Sequence, residues 1–281
     1  MAAGLTGALW YRASRSRRSI LAEMTRLASR ALEQPPQSID LCRFAGPEPV
    51  ARYLRQVIRR DTAVRVAQLD QRGWLRTGGR SQRWMPFVAS QVVSPGSCSF
   101  IWNASVGVIG NAGLRVLDRL IDGQGSGQVL LLSSMTIARS IGGHEMNAGA
   151  LHRYLAETPW YPTALLPSPN LQWTPLDDSR AVATLSSGEA SVSLEFRFGA
   201  NGDLAGVCSP GRWGSFEGRF ELRPWKGQFD KYEWIGGLKV PTQAAVGWYR
   251  NGQWNTAWAG SILRASYDSR PRGDSRPRRA G

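Results

Sequence analysis

Histidine and cysteine are scarce in this chain: its 281 residues include two histidines and three cysteines. Cys42, Cys98 and Cys208 are widely spaced and no CxxC occurs, which removes the usual signal of structural zinc or thioredoxin-like redox chemistry. Three isolated thiols read as unpaired side chains in a reducing compartment. His144 and His152, on one continuous helix, would stand about 12 Å apart along its axis and about 80° apart around it. They could not share a metal ion there. Neither HExxH nor G-x-S-x-G is present, so metallohydrolase and serine hydrolase chemistry lack their signatures. No catalytic residue, metal or cofactor is assigned.

A run of ~18 apolar residues is also missing, so no transmembrane helix is expected. Met1 to Tyr11 is mildly apolar but precedes its arginines, the wrong order for a secretory signal. The expected location is the cytoplasm, with the membrane periphery as the alternative. Acidic residues are outnumbered by Lys and Arg, 21 to 35, for a formal charge of +14. The excess is uneven. Residues 1–33 hold six Arg and two Glu, and residues 264–281 six Arg and two Asp, so each tail carries +4. Of the remaining +6, Arg43, Arg52, Arg55, Arg59 and Arg60 against Glu48 supply +4. A nucleic-acid enzyme would line a groove with such charges. Here they sit on two tails and one helix. No specific nucleic-acid partner is expected, only a weak, salt-sensitive contact with an anionic membrane surface.

What is present suits a turn-rich β protein: 31 glycines, 12 tryptophans and 42% hydrophobic residues. Residues 19–33 have helical spacing, with Ile20, Met24, Leu27 and Ala31 on one side. Without aromatic anchors, this reads as a helix packed on the domain or a partly ordered arm rather than a membrane helix. Pro47-Glu48-Pro49 opens a second helix over 49–60, with Val50, Tyr53, Leu54, Val57 and Ile58 as its stripe. From Val64 the period becomes two, giving strands near 64–69, 74–77, 84–93, 100–108, 114–121 and 128–132. Asp122-Gly-Gln-Gly-Ser-Gly127 is neither a dinucleotide fingerprint nor a P-loop, and reads as a glycine-rich hairpin loop. Ser133 or Ser134 caps an expected short helix to Ile141, and another runs from about Asn147 to Ala156, where Arg153 and Glu157 can pair.

Residues 153–167, Arg-Tyr-Leu-Ala-Glu-Thr-Pro-Trp-Tyr-Pro-Thr-Ala-Leu-Leu-Pro, carry three prolines straight after that helix. Each proline removes a backbone donor and fixes φ, so the segment is an apolar elbow. Beyond it comes a β meander to Tyr267, with Asn251-Gly252 as a strong hairpin signal and Ser187-Gly188 and Asn201-Gly202 as further turns. Eight of the tryptophans follow residue 159. Such rings suit a core or the wall of a cavity.

Several pieces together resemble an uncharacterised bacterial family, a domain of unknown function. They are Pro49-Val50-Ala-Arg52-Tyr53-Leu54, Phe100-Ile-Trp102-Asn-Ala104, Asp118 with Asp122-Gly123-Gln-Gly125, the 153–167 elbow, Trp173-Thr-Pro175-Leu-Asp177-Asp178, Gly236 with Val240-Pro241, and Trp248. The resemblance spans about 47–267. It implies an architecture similar to the lipoprotein-carrier type, and no established activity comes with it.

The expected fold is α+β: a strongly curved antiparallel sheet, open and barrel-like, of about 9–12 strands, with a few helices covering one face. Residues 1–46 form a basic arm, 47–267 a single domain, and 268–281 a disordered basic tail. The expected function is binding of a hydrophobic or lipid-like small molecule between sheet and helices, without chemistry. Trp102, Trp160, Tyr161, Leu165, Leu166 and Trp173 would line the pocket, and Glu157 or Asp177 would orient a polar head. Two alternatives stand beside it. One is an enzyme using buried carboxylates, Asp118 with Asp122 or Asp177 with Asp178. The other is a scaffold or membrane-peripheral protein acting through its basic tails.

Overall fold

The computed structural model describes residues 2–76, 83–107, 113–133 and 135–268, with side chains from residue 11 onward. The expected tail beyond Asp268, and the end of the strand expected to reach Val108, lie outside these residues. Three α-helices are described: α1 (Ala2–Glu33), α2 (Glu48–Val57) and α3 (His144–Glu157). The strands before α3 are β1 (Ala67–Arg76), β2 (Trp84–Ser94), β3 (Ser99–Val106), β4 (Leu114–Ile121), β5 (Gln124–Leu131) and β6 (Met135–Ile141). Those after it are β7 (Leu171–Asp177), β8 (Arg180–Ser187), β9 (Ala190–Phe198), β10 (Leu204–Phe216), β11 (Arg219–Ile235), β12 (Leu238–Arg250) and β13 (Gln253–Tyr267).

These 13 strands make one antiparallel sheet, ordered β6-β5-β4-β3-β2-β1-β13-β12-β11-β10-β9-β8-β7. Two meanders join where β1 pairs with β13. The chain leaves the first meander at one edge, after β6, and enters the second at the other, at β7. Everything between, α3 and the elbow, must therefore cross the sheet. It crosses on the concave face. Register shifts at Asp70/Gln71, Ser209/Arg212 and Val246/Gly247 interrupt the ladders. Such bulges bend a strand and increase its twist, which lets the sheet curl.

Period two sorts the side chains. In β3, Phe100, Trp102, Ala104 and Val106 face α2 and α3, while Ile101 faces the other way. Val50, Tyr53, Leu54 and Val57 of α2 are fully buried in the concave core, as their spacing predicts. On the convex face α1 buries Ile20, Met24, Leu27, Ala28 and Ala31 against Val66, Val92, Ile101, Leu117 and Leu130. Glu23 of α1 accepts hydrogen bonds from Arg119 at 2.9 and 3.1 Å. The apolar face of α1 is thus already covered by the sheet.

Some elements differ from expectation. Residues 135–141 form strand β6, not a helix. They carry β-branched Thr136, Ile137 and Ile141, and pairing with β5 satisfies backbone groups that a short exposed helix would leave to water. The glycine-rich loop shrinks to a two-residue turn, Asp122-Gly123, with φ of 50° and 80°. Gly125 lies inside β5, where a Cβ would come within 2.6 Å of the Met146 carbonyl. That glycine lets α3 sit directly on the strand. Asn251-Gly252 makes the expected tight hairpin, both residues at positive φ. Asp268, expected in the tail, accepts from the Arg65 backbone N–H at 2.7 Å and pairs with Arg60.

Candidate functional site

A hollow of about 650 Å³ lies on the concave face, bounded by β1, β3–β6, α3, Trp160 and the β10–β13 hairpins. Trp102, Trp160, Trp225, Trp248 and Trp258 form much of its wall, with Leu75, Leu114, Val116, Val129, Phe229 and Val246. Rings brace one another: Phe87 meets Trp102 at 5.8 Å and Trp258 at 5.5 Å, and Trp160 meets Trp258 at 6.2 Å. A more open depression of about 760 Å³ spans β1, β2 and β11–β13. Its aromatic lining is Trp74, Phe87 and Phe229 against five tryptophans and Phe229 in the other, so the more enclosed, tryptophan-walled hollow is the better candidate.

A chain of hydrogen bonds runs beneath its floor. Trp102 Nε1 donates to Gln71 Oε1 at 2.8 Å, and Gln71 Nε2 to Gln91 Oε1 at 3.0 Å. Gln91 Nε2 donates to Glu157 Oε2 at 2.6 Å. Arg153 Nε reaches Glu157 Oε1 at 2.8 Å, the expected i,i+4 pair, and its Nη1 reaches Asp118 Oδ2 at 2.6 Å. The guanidinium also lies 4.7 Å from the Trp102 ring centroid. Burial pulls the Arg153 pKa down, but Glu157 and Asp118 outweigh it and the net shift is upward. Both carboxylates are therefore held in ion pairs as acceptors.

Arg212 lies in the same hollow under opposite conditions. It follows Pro210-Gly211 in β10, where one extra residue breaks the register with β11. A bulge re-aims the side chain that follows it. The guanidinium lies between indoles, 4.9 Å from the Trp225 centroid and 5.2 Å from that of Trp248. Nη2 donates to the Gly149 carbonyl at 3.3 Å, and Nε has no acceptor. Among the described residues no carboxylate pairs with it. Burial, then repulsion from Arg153, lowers its pKa to about 10, so it stays charged at neutral pH. His152, packed one residue before Arg153 and bonded to the Ser193 carbonyl at 3.3 Å, is pulled down to about 4 by burial and by Arg212.

The residues singled out from sequence fall into three places. Trp102, Glu157 and Trp160 line the hollow. Tyr161, Leu165, Leu166 and Trp173 belong to the packed elbow: Tyr161 Oη donates to the Tyr154 carbonyl at 2.9 Å, and Trp173 Nε1 to the Leu165 carbonyl at 3.2 Å. Asp177 sits on an exposed turn, accepting from Ser179 and Arg180, which lower its pKa to about 2. The suggested carboxylate pairs do not meet at one cleft. Asp118 faces Arg153 from mid-strand, while Asp122 is exposed in the next turn. Asp178 shares the turn with Asp177 and offers its backbone carbonyl to Arg52 at 2.8 Å. Sequence reading missed Gln71, Gln91, Arg76 and Arg212. The inward-facing glutamines of β1 and β2, and the Pro-Gly that precedes Arg212 inside a strand, were the available signals.

One family model matches residues 45–260 of the chain. The chain belongs to DUF6544, a family of unknown function. α2, α3, the elbow and nearly all of the sheet fall within that span, whereas α1 lies outside it. No curated protein matches the chain. Among solved structures, a LolA-superfamily protein from Nitrosomonas europaea is similar, with 10% identity and a TM-score of 0.40, covering 76% of this chain and 90% of its own. A beta-barrel-like protein of the domain of unknown function DUF1849, from Brucella abortus, aligns at 11% identity and a TM-score of 0.21, covering 73% of this chain and 98% of its own. Among the described residues no helix is long and apolar enough to cross a membrane.

Proposed function

We propose that this DUF6544 protein binds a hydrophobic or lipid-like small molecule in the tryptophan-walled hollow and performs no chemistry on it. One observation carries the reading. Most of the concave face is filled, yet about 650 Å³ remains between apolar walls, within the range that holds small ligands. The hollow is half open to solvent and largely apolar, the shape that admits a guest and covers its apolar part. Trp102 and Trp160 serve as contact surface with Trp225, Trp248 and Trp258, and Glu157 holds Arg153 in place. The elbow residues Tyr161, Leu165, Leu166 and Trp173 support the wall from behind. Asp118 and Glu157, both bound to Arg153, are poorly placed to act as acid and base.

The test is titration with N-phenyl-1-naphthylamine, a neutral apolar dye, together with native mass spectrometry of the purified chain. Saturable binding of one dye, with quenching of tryptophan emission, is expected. Ala244 is buried and lines the hollow, so Ala244→Phe should fill it and abolish binding while the fold persists. Unsaturable dye uptake, or full binding by Ala244→Phe, would refute the reading.

A further inference from the structure

We infer that the guest is an amphiphile whose head is a single negatively charged oxyanion, seated on Arg212. The inference rests on the hollow being a ligand site. The lining holds three arginines, Arg76, Arg153 and Arg212, and two acids, Asp118 and Glu157. That leaves one positive charge in excess. Arg153 takes both acids. Arg76, at the end of β1, lies against Trp84 at 4.8 Å. Among the described residues neither Arg76, whose Nε also lacks a partner, nor Arg212 has a carboxylate partner, and of the two Arg212 is the one set between two indoles of the wall.

A guanidinium offers five N–H donors in a planar fork. Arg212 uses one of them, to Gly149. Leaving a charge in apolar surroundings without a counterion is costly. A group placed only to brace the hairpin could be apolar at lower cost. Its position is held by the two indoles and set by the bulge, as in a receptor ordered before its ligand arrives. The wall adds donors: among the described residues Trp160, Trp225 and Trp248 have buried Nε1 atoms without an acceptor. Such a wall disfavours an amine or quaternary ammonium head and favours oxygen acceptors. One excess charge matches one anionic group. A fatty-acid carboxylate and the phosphate of a single-chain phospholipid share that chemistry.

The experiment uses the full chain and displacement of bound N-phenyl-1-naphthylamine by palmitic acid, hexadecanol and 1-palmitoyl lysophosphatidic acid, each below its micellar concentration. A charge-assisted hydrogen bond in this setting should make an anionic amphiphile bind roughly 10- to 100-fold tighter than the alcohol. In Arg212→Gln and Arg212→Leu the preference should fall to about threefold or less. Palmitate ahead of lysophosphatidate assigns a free carboxylate, and the reverse order a phospholipid-type head. Equal binding of acid and alcohol by the native chain overturns the inference and leaves the hollow as a ligand site. Failure of the dye itself to bind overturns the reading beneath it. The native acid-to-alcohol ratio decides the matter even if both variants misfold. If they fold, shown by near-ultraviolet circular dichroism, and keep the preference, Arg212 is not the seat.

Discussion

Tyr154, Tyr161 and Trp173, on the elbow side of α3, each donate to a backbone carbonyl within 3.2 Å. Across the same concave face, Trp225 Nε1, Trp248 Nε1 and Arg212 Nε have no acceptor among the described residues. Both regions are aromatic, and both lie between the sheet and the helix. The difference is closure. On the elbow side, Pro159 and Pro162 fold the chain back on itself, so carbonyls of α3 and the elbow come to Tyr161 and Trp173, while the β2–β3 connection brings the Pro95 carbonyl to Tyr154. On the hairpin side the walls are strands, whose carbonyls are engaged in ladders, and among the described residues no segment crosses to fill the space. A saturated, filled region serves stability. An unsaturated, unfilled one is suited to a guest.

Paired truncations should give the largest contrast. Tyr161 is fully buried, whereas Trp248 is partly exposed at the hollow wall. Tyr161→Ala should cost about 3–5 kcal/mol in urea unfolding, as for other large core aromatics. Trp248→Ala should cost about 1 kcal/mol yet weaken dye binding strongly. Equal destabilisation would break the comparison, because the hollow would then behave as core.

His152 sits between the two regions and titrates with them. Its pKa is near 4 in the folded protein against about 6.5 unfolded. A base with a depressed folded pKa stabilises above the unfolded value and loses that contribution as pH falls. Stability should drop by about 2.5 kcal/mol between pH 7 and pH 4.5 from this group alone. His152→Gln should flatten that slope in urea midpoints measured across the range. An anion on Arg212 removes part of the repulsion, so palmitate should raise the His152 pKa, readable by NMR of the imidazole.

Gly125→Ala would set a Cβ 2.6 Å from the Met146 carbonyl and 3.0 Å from the Ala150 Cβ. α3 must then lift from β5, at a cost of about 1–3 kcal/mol. Because α3 carries Arg153 and Glu157, dye affinity should fall with stability. An unchanged affinity would mean that the hollow does not depend on the seat of α3. The smallest effect belongs to Asp177→Asn. That exposed turn touches neither region, so thermal midpoint and dye affinity should both match the native chain. A lost affinity would return Asp177 to the site.

Local signals in the sequence were legible where the physics is local. Asn251-Gly252 demands positive φ at two residues, which a tight hairpin needs wherever it occurs. The stripe of Val50, Tyr53, Leu54 and Val57, and the Arg153–Glu157 spacing, follow from 3.6 residues per turn. The three prolines of the elbow forbid any long element there. For residues 135–141 the β-branched Thr136, Ile137 and Ile141 are a weak local signal, and the pairing with β5 that makes them a strand is not visible in the segment itself. Trp102, Glu157 and Trp160 could be named, but not told apart from Tyr161 or Trp173. All are large or charged groups near one elbow, and only the crossing from β6 to β7 decides which side of α3 each one faces.

Composition, turn chemistry and periodicity fixed a turn-rich β meander interrupted by an apolar elbow, since each depends on residues a few positions apart; that the sheet is curled came only with the family resemblance. The tertiary structure alone decided that Gln71, Gln91 and Glu157 form one hydrogen-bonded chain from Trp102 to Arg153 and Asp118, and that Arg212 pairs with no carboxylate among the described residues. Apart from the Arg153–Glu157 pair, the bonds of that network join residues 20 to 66 positions apart. They turn on the parity of a bulge, where one added residue moves a side chain from one face of the sheet to the other.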